Sequence, residues 1–417
     1  MKLSLADGIA LERDCFLKVA TSSEAQAGMR FFFANEQAKK LPPKFADAKP
    51  WTIKLVGVVG IGRMGSAIAF LAARAGYQVI AYELPEFANG VRARIREKYD
   101  PLLKRGKVDV DTAERETAAV KVVTDIAELA PCDLIIEAIS EDPRVKGDFY
   151  RALGKVMRTD AIVASNSSSM GPGYLQQFLY ESTGGYGEMI GLHFFSPAEH
   201  PSRALVEVIV GQDTLPEAVA AAHAFVRKIG KVPVVLNDGS PGFLVNAALA
   251  EYLLAAEALY KQGTPIDVID AAMRQAVFPM GPFEVADSSG LDIAAGMFDF
   301  IAQAAPSNRA TPIACLLRDR KRFGVKTGGG FYDYQDGKKV GVWLELDSLL
   351  VSPGIRVASN EEIVERCVRA IYLKTKQLIE AGIVASTELA DLAFVHALGF
   401  AMDLGGPIFY GQQQGWK

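Results

Sequence analysis

The sequence predicts an α/β protein in which a doubly wound, mostly parallel sheet is followed by two related all-helical domains. Three observations lead to this fold class. A glycine-rich turn joins a buried strand to a helix at residues 54–75. Short apolar runs then alternate with helical segments to about residue 237, and a helical pattern that begins near residue 241 occurs twice.

The first segment, residues 1–50, has the pattern of an amphipathic linker helix up to about Lys40. A proline-containing stretch at residues 41–51 then indicates a connector to the next domain. Because this segment carries no residues that indicate chemistry, we expect it to have a structural role.

The second segment, residues 51–237, opens with the glycine-rich turn Gly60-x-Gly62-x-x-Gly65. Gly60 permits a tight turn, Gly62 lets the backbone approach a pyrophosphate, and Gly65 allows close helix packing. The next strand ends at Glu83, where a carboxylate accepts hydrogen bonds from a ribose and repels a 2′-phosphate. Because strand, turn, helix and acid all agree, the pattern predicts a Rossmann-type domain that binds NAD rather than a simple turn.

The rest of this segment alternates between strands and helices. Helices are expected near residues 143–157 and 216–228. Apolar runs predict strands at residues 120–123, 133–138, 161–165, 188–193, 205–210 and 232–236. Residues 85–107 are expected to form a helix interrupted near Pro101. Its basic stretch, between Val91 and Lys107, is either a solvated face or a site for a polyphosphate-bearing substrate.

Residues 238–335 and 336–417 are expected to form the two helical domains. Each contains a long helix, a glycine turn, a shorter helix and a Gly-Pro dipeptide, which is Gly281-Pro282 in the first and Gly406-Pro407 in the second. A glycine-rich loop with Lys326 lies between them. This loop is either a flexible connector or a contact for an anion or cofactor.

Composition excludes several classes of protein. The chain has 45 basic and 49 acidic residues, and this formal charge of −4 gives no indication of nucleic-acid binding. No apolar run reaches the roughly 18 residues that predict a membrane span. The four cysteines are scattered without a C-x-x-C pair, so we expect free thiols, a reducing cytoplasmic location and no metal site.

Among the four histidines, His193 is the candidate for catalysis. It ends a strand beside the expected position of a nicotinamide, with Glu207 available to orient it and Ser168 to bind a hydroxyl. A lone histidine is more often a packed residue than a base, so this interpretation depends on its position. Predicted helices or a proline-flanked loop give simple structural explanations for the other three, His200, His223 and His396.

Taken together and in order, the motifs resemble those of the L-3-hydroxyacyl-CoA dehydrogenases of fatty-acid β-oxidation. The resemblance spans nearly the whole chain. It lies in residues 60–65, 136–142, 165–169, 191–197, 205–208, 241–246, 280–283 and 326–332. Residues 1–50 and the second helical domain are similar to parts of the bifunctional hydratase/dehydrogenase enzymes, in which a linker helix joins a hydratase domain to the dehydrogenase.

The resemblance implies reversible, NAD-dependent oxidation of (S)-3-hydroxyacyl-CoA to 3-oxoacyl-CoA. It implies that His193 is the general base and that Glu207 holds its imidazole. Ser168 then binds the substrate oxygen, and Asn246 lies near the reacting carbonyl. The cofactor contacts that it implies are Gly60, Gly62, Arg63, Met64, Gly65, Glu83, Glu141, Lys146, Asn166 and Lys326. The candidates to contact the CoA phosphates are Arg92, Arg94, Lys98 and Arg105.

The segment between His193 and Glu207 is longer than is usual in this family. If it bulges outward, the two residues form a pair. If it does not, Glu199 or His200 enters the site and Glu207 misses His193. That outcome would favour an alternative function, an NAD-binding relative with a structural or binding role. A third alternative, a hydroxyacid dehydrogenase with a catalytic lysine, does not fit the His-Phe-Phe-Ser-Pro segment.

The expected partners follow from the same resemblance. The substrate is an acyl-CoA, and no nucleic-acid or membrane partner is expected. A hydratase domain or subunit that this chain lacks would be a further partner. We expect a monomer, because the second helical domain would occupy the surface through which simpler relatives dimerise.

Overall fold

The computed structural model describes residues 4–304, 311–349 and 354–417. Its first elements are two helices, α1 (Leu5–Ala20) and α2 (Ser23–Ala38). The predicted linker helix is therefore interrupted after Thr21. The break occurs there because Ser22 caps α2, where its side chain accepts a hydrogen bond from the N–H of Ala25.

An eight-stranded sheet follows these helices. Its strands are β1 (Leu55–Val59), β2 (Gln78–Tyr82), β3 (Lys121–Val123), β4 (Leu134–Glu137), β5 (Ile162–Ser165), β6 (Glu188–Phe194), β7 (Leu205–Val210) and β8 (Val232–Asn237). They lie in the order β3-β2-β1-β4-β5-β6-β7-β8, and every neighbouring pair is parallel except β6 with β7. The predicted mostly parallel sheet is confirmed, and each predicted strand corresponds to an observed one.

Helices cover both faces of this sheet, which explains why its strands are continuous apolar runs. The helices are α3 (Arg63–Arg74), α4 (Pro85–Ala88), α5 (Val91–Glu97), α6 (Asp100–Lys104), α7 (Val110–Ala118), α8 (Pro143–Gly154), α9 (Pro172–Thr183) and α10 (Pro216–Lys228). The helix predicted over residues 85–107 forms three short helices, and the predicted interruption near Pro101 lies between α5 and α6. Gly90, with a φ of 91°, separates α4 from α5, and Pro101 lies in the first turn of α6, where proline is tolerated.

The described residues after β8 are helical apart from connecting loops and one hairpin. The helices are α11 (Val245–Lys261), α12 (Ile266–Ala276), α13 (Pro282–Ser289), α14 (Leu291–Ala304), α15 (Ile313–Asp319), α16 (Asn360–Glu380), α17 (Thr387–Leu398) and α18 (Pro407–Gln413). Strands β9 (Tyr332–Gln335) and β10 (Lys338–Val342) form the hairpin, which the all-helical description does not include. Its turn is Asp336-Gly337, a dipeptide typical of tight hairpins, and both residues have positive φ. Within the described ranges, no helix combines the length and hydropathy of a membrane span.

The two helical parts of the chain repeat one buried arrangement. Asp270 of α12 accepts a hydrogen bond from the N–H of Phe283 at 3.0 Å, at the start of α13. Asp391 of α17 accepts one from the N–H of Ile408 at 2.7 Å, at the start of α18. Helix α11 packs against α16, and residues of both parts share one hydrophobic core. This repeat supports the interpretation that the two parts are related.

Candidate active site

The glycine turn lies between β1 and the N-terminus of α3. Gly60 has a φ of 79°, and a Cβ on Gly65 would lie 2.0 Å from the carbonyl oxygen of Gly60, so α3 can begin against the turn only with glycine there. A Cβ on Gly62 would meet no atom within 4 Å, so the space beside this residue is open to a ligand. Arg63 and Met64 begin α3, whose first N–H groups have no partners within the helix and are available to a phosphate.

Glu83 holds the same turn from the end of β2. Its Oε2 accepts a hydrogen bond from the N–H of Ile61 at 2.7 Å, and its Oε1 accepts one from the N–H of Leu84 at 3.0 Å. The guanidinium of Arg94 donates to the carbonyl of Ile61 at 2.7 Å. A half-buried carboxylate beside an open glycine turn fits the ribose of a dinucleotide, as the sequence predicts.

A buried ionic network lies at the end of β4. Nζ of Lys146 is 2.6 Å from Oε1 of Glu137 and 3.4 Å from Oε2 of Glu141, and the side chain of Lys146 has no exposed surface. Glu137 also accepts hydrogen bonds from the hydroxyls of Tyr150 and Ser165, at 2.7 and 2.8 Å. Lys146 therefore supports Glu141, and its direct contact with a cofactor stays a prediction. The sequence places Glu137 at the end of an apolar buried strand, but its contacts with Lys146, Tyr150 and Ser165 become visible only in the structure.

Glu141 orders the loop that follows β5. Its Oε1 accepts hydrogen bonds from the Ser167 hydroxyl at 2.6 Å, the Ser168 N–H at 2.9 Å and the Ser169 hydroxyl at 2.9 Å. Burial raises the pKa of Glu141, but the charge of Lys146 and these donors outweigh burial, so the pKa is lowered. The ionised carboxylate fixes the backbone that carries Ser168. The Ser168 hydroxyl has no hydrogen-bond partner within the described residues and can bind a ligand.

His193 and Glu207 form a buried pair across β6 and β7. They are opposite each other in the antiparallel register, and Nδ1 of His193 lies 2.6 Å from Oε2 of Glu207. Oε1 of Glu207 accepts hydrogen bonds from the N–H groups of Leu244 and Val245, at 3.3 and 3.0 Å, at the N-terminus of α11. These two bonds fix the carboxylate beside the imidazole. A proton on Nδ1 that is donated to Glu207 leaves the lone pair of the ring on Nε2.

The long segment after His193 does not disturb this pair, because the strand register sets the two residues opposite each other. Glu199 instead pairs with Nζ of Lys98, at the end of α5, at a distance of 2.9 Å. Nδ1 of His200 lies 2.7 Å from the hydroxyl of Ser202. The sequence left open whether this loop bulges outward or enters the site, and the structure shows the outward loop.

Three other predicted site residues have different surroundings. Oδ1 of Asn166 accepts a hydrogen bond from the N–H of Phe194 at 3.0 Å, which joins the loop after β5 to the strand of His193. Asn246 lies in the first turn of α11, half-buried, and its amide has no hydrogen-bond partner in the described ranges. Lys326 follows α15, and its Nζ is 2.5 Å from Oδ2 of Asp292. No hydrogen bond or ion pair of the described residues joins Lys326 to the sheet, so its cofactor contact stays a prediction.

Two of the remaining histidines fix the N-terminal helix α2. Nε2 of His223 lies 2.9 Å from the carbonyl oxygen of Ala38, and Nε2 of His396 lies 2.8 Å from Oδ1 of Asn35. Burial lowers the pKa of His223, and burial with the nearby charge of Lys231 lowers the pKa of His396 to about 4. Both side chains are therefore neutral packing groups, in agreement with the structural explanation.

Comparison with known proteins agrees with this geometry. The family model for the NAD binding domain of 3-hydroxyacyl-CoA dehydrogenase matches residues 55–239, and the model for the C-terminal domain of the same enzyme matches residues 242–334. The fatty acid oxidation complex subunit alpha of Psychrobacter arcticus is 31% identical over 422 residues, which cover 98% of this chain and 57% of that protein. The chain thus spans a little over half the length of this relative.

Solved structures give the same result. The crystal structure of FadB2 from M. tuberculosis is 32% identical with a TM-score of 0.62, and the match covers 68% of this chain and all of that one. The (S)-3-hydroxybutyryl-CoA dehydrogenase PaaH1 from Ralstonia eutropha is 29% identical with a TM-score of 0.60, over 68% of this chain and all of that one. The predicted NAD cofactor is confirmed, because the matched NAD-binding domain contains the glycine turn and Glu83.

Proposed function

The chain belongs to the 3-hydroxyacyl-CoA dehydrogenase family, and from this premise we propose that it oxidises (S)-3-hydroxyacyl-CoA to 3-oxoacyl-CoA with NAD, reversibly. The observation that carries the proposal is the His193–Glu207 pair. Nδ1 of His193 is held by Glu207, whereas Nε2 has no hydrogen-bond partner among the described residues. A buried imidazole with one occupied and one free nitrogen is suited to accept a proton.

In this mechanism Nε2 of His193 takes the proton of the 3-hydroxyl group. The imidazolium that results is stabilised by the carboxylate of Glu207, 2.6 Å from Nδ1. The two backbone N–H groups at the start of α11 hold the carboxylate of Glu207 in position. When bound, NAD accepts the hydride that leaves C3 of the substrate. A base in this position contributes about 10²- to 10⁴-fold to the rate.

Two polar side chains orient the substrate in this proposal. The Ser168 hydroxyl, which lacks a protein partner in the described residues, binds the substrate oxygen. The Asn246 amide lies one residue after Val245, which binds Glu207, and it contacts the acyl carbonyl. Because Glu141 fixes the loop of Ser168 and Glu207 binds the start of α11, both side chains are held by rigid supports.

We further propose that the CoA phosphates bind in a cavity of about 350 Å³ beside the loop that follows His193. Four cationic side chains line it, namely Arg74, Lys98, Arg105 and Lys228. Its walls also include apolar side chains such as Phe70 and Leu102, which suit the neutral arm of CoA. In the described part of the chain, Arg74, Arg105 and Lys228 have no carboxylate partner and are available to phosphates.

Of the four residues that the sequence suggests for CoA binding, Lys98 and Arg105 line this cavity. Arg92 instead donates to the carbonyl of Ala118 at 3.2 Å, and Arg94 donates to the carbonyl of Ile61 beside the glycine turn at 2.7 Å. Arg92 and Arg94 therefore support the backbone, and we do not assign them to CoA.

We also propose that a hydratase domain or subunit covers helix α1. No residue of α1 is buried, and its exposed apolar side chains include Leu5 at 83% and Phe16 at 68% of their surface. Such a run of exposed apolar residues is typical of an interaction surface. A monomeric dehydrogenase unit agrees with the packing of α16 on α11, which covers one face of α11 within the chain. Light scattering of the purified chain tests this oligomeric state.

The test of the proposed activity follows NADH formation by absorbance with (S)-3-hydroxybutyryl-CoA and with a longer 3-hydroxyacyl-CoA. We expect turnover with NAD, and at least about 10-fold lower kcat/KM with NADP, because Glu83 repels a 2′-phosphate. Binding of NAD without turnover of either substrate would contradict the proposal and favour a structural role. The observed His193–Glu207 pair removes the main argument for that role.

A further inference from the structure

The cavity proposed for the CoA phosphates has one acidic side chain in its lining. Glu199, on the loop after His193, places Oε1 at 2.9 Å from Nζ of Lys98. Both side chains are mostly buried, with 17% of the Lys98 surface and 19% of the Glu199 surface exposed. The other carboxylate oxygen, Oε2, is buried and has no hydrogen-bond donor among the residues that the structure describes. A mostly buried carboxylate with a single hydrogen-bond partner is poorly compensated and can be displaced.

The loop that carries Glu199 is also anchored by hydrogen bonds to its backbone, although the cation that makes them, Lys231, is close enough to attract the Glu199 carboxylate. Nζ of Lys231, at the start of β8, donates to the carbonyls of His200 and Arg203, at 3.3 and 3.0 Å. The hydroxyl of Ser202 lies 2.7 Å from Nδ1 of His200. Because these bonds hold the loop beside Glu199, the side chain can leave Lys98 without unfolding the loop.

The positive charges around Glu199 favour a phosphate that competes with its carboxylate for Lys98. Arg74, Arg105 and Lys228 line the same cavity, and within the described ranges none of them has a carboxylate partner. The cavity therefore has a net positive charge even with Glu199 present. A phosphate carries more negative charge and more acceptor oxygens than a carboxylate, so it competes well for Lys98.

We propose that Glu199 is an internal counter-ion of Lys98 which a phosphate of the substrate displaces, so that Glu199 determines how tightly CoA thioesters bind. This inference rests on the proposed function and adds a residue that sets substrate affinity. While Glu199 remains near the bound phosphate, its charge weakens binding. A neutral pantetheine thioester offers Lys98 no anion and leaves the Glu199–Lys98 pair in place.

The test compares KM for the CoA thioester of 3-hydroxybutyrate with KM for the pantetheine thioester, which lacks the phosphates. Glu199→Gln keeps the shape of the side chain and removes its charge. We expect KM for the CoA thioester to fall by about 3- to 10-fold, the size expected for a partly exposed ion pair, with KM for the pantetheine thioester unchanged. Lys98→Met should raise KM for the CoA thioester by a similar factor and abolish the effect of Glu199→Gln in the double variant.

The matched control is Glu97→Gln, which removes one negative charge from an exposed position next to Lys98 that does not line the cavity. It should leave both KM values unchanged. The proposal is wrong if Glu199→Gln leaves KM for the CoA thioester unchanged or raises it, or if Glu97→Gln lowers it equally. Thermal unfolding of each variant verifies that it is folded, and Glu199→Ala provides a second variant with the same expected direction.

Calorimetric titration with free CoA separates this inference from the proposed activity. Tighter CoA binding by Glu199→Gln in a chain that does not turn over would support the counter-ion and contradict the dehydrogenase. Turnover with an affinity for CoA that is equal in native and Glu199→Gln proteins would support the dehydrogenase and contradict the counter-ion.

Discussion

Glu207 and Asp391 are two buried carboxylates with nearly the same surroundings and different consequences. Glu207 accepts hydrogen bonds from two backbone N–H groups at the start of α11 and pairs with His193. Asp391 accepts them from two N–H groups at the start of α18 and pairs with Nε of Arg30, from α2, at 3.1 Å. One arrangement supports the base that we propose, and the other attaches the N-terminal helix to the second helical part.

The difference lies in the basic partner. Arg30 uses all three of its nitrogens, because its other two bind Glu388 at 2.8 Å and Thr387 at 2.7 Å. His193 uses Nδ1, and its Nε2 has no partner within the described residues. A supported cation or imidazole can take part in chemistry only when one of its polar atoms remains unoccupied. The unused nitrogen of His193, and not the buried acid, is therefore the feature on which we base the proposed active site.

The largest expected effect comes from Glu207→Gln, which disrupts the His193–Glu207 pair. The amide can place an N–H against Nδ1 of His193 and so force the ring proton onto Nε2, where the base must be free. We expect kcat to fall by about 10²-fold or more, with KM for NAD little changed. Steady-state NADH formation measures this effect, and a kcat within a few-fold of the native value would contradict the role of Glu207.

Arg30→Met, which removes the Arg30–Asp391 pair, should lower the stability of the protein and leave its turnover unchanged. Burial raises the pKa of Asp391 from its ordinary value, 3.8, to about 7, although Arg30 lowers it. The stability that this carboxyl contributes is therefore complete below pH 3.8 and is lost as the pH rises through 7. Without Arg30 the pKa of Asp391 rises further. At alkaline pH the ionised carboxylate of Asp391 then lacks its cationic partner.

We expect Arg30→Met to lower the free energy of unfolding by about 1 to 3 kcal/mol at pH 8 and by clearly less at pH 5. Denaturant unfolding at the two pH values measures the difference. Arg13→Met, at an exposed position of α1, is the matched control and should change neither value. Equal losses at both pH values would contradict a contribution from the charge of Asp391 and would leave the contacts of Arg30 with Glu388 and Thr387 as the source of the loss.

The smallest expected effect comes from Tyr332→Phe and compares Asp270, in the first helical part, with Asp391 in the second. In the first helical part, Asp270 has the hydroxyl of Tyr332 at 2.6 Å in place of an arginine. Tyr332→Phe removes that single hydrogen bond, so the free energy of unfolding should fall by about 1 kcal/mol, with kcat unchanged. Thermal unfolding measures the loss. A decrease as large as that of Arg30→Met at pH 8 would contradict the view that the charged partner matters more.

The sequence indicates much of the fold because its signals are local. The strand, glycine turn and helix at residues 54–75 and the acid at Glu83 are adjacent in the chain, and the repeated Gly-Pro dipeptides indicate the two related helical parts. The identities of His193, Glu207 and Ser168 are likewise local, because each follows or lies within a strand. The structure adds that register alone brings His193 and Glu207 together.

What sequence analysis missed depends on contacts between distant residues. Arg30 and Asp391 are 361 positions apart, and Lys98 and Glu199 are 101 positions apart, so no local pattern relates them. Glu137 is different, because its position at the end of a buried strand was visible, but its contacts with Lys146, Tyr150 and Ser165 require the packing of α8 on the sheet.

The most direct test of the central claim compares His193→Ala with His223→Gln, which alters a histidine that binds only the backbone of Ala38. NADH formation from (S)-3-hydroxybutyryl-CoA and the unfolding temperature are measured for both variants. We predict that His193→Ala lowers kcat by about 10²-fold or more and remains folded, while His223→Gln keeps its turnover. A folded His193→Ala protein with nearly native turnover would show that the unused nitrogen of His193 is not the base.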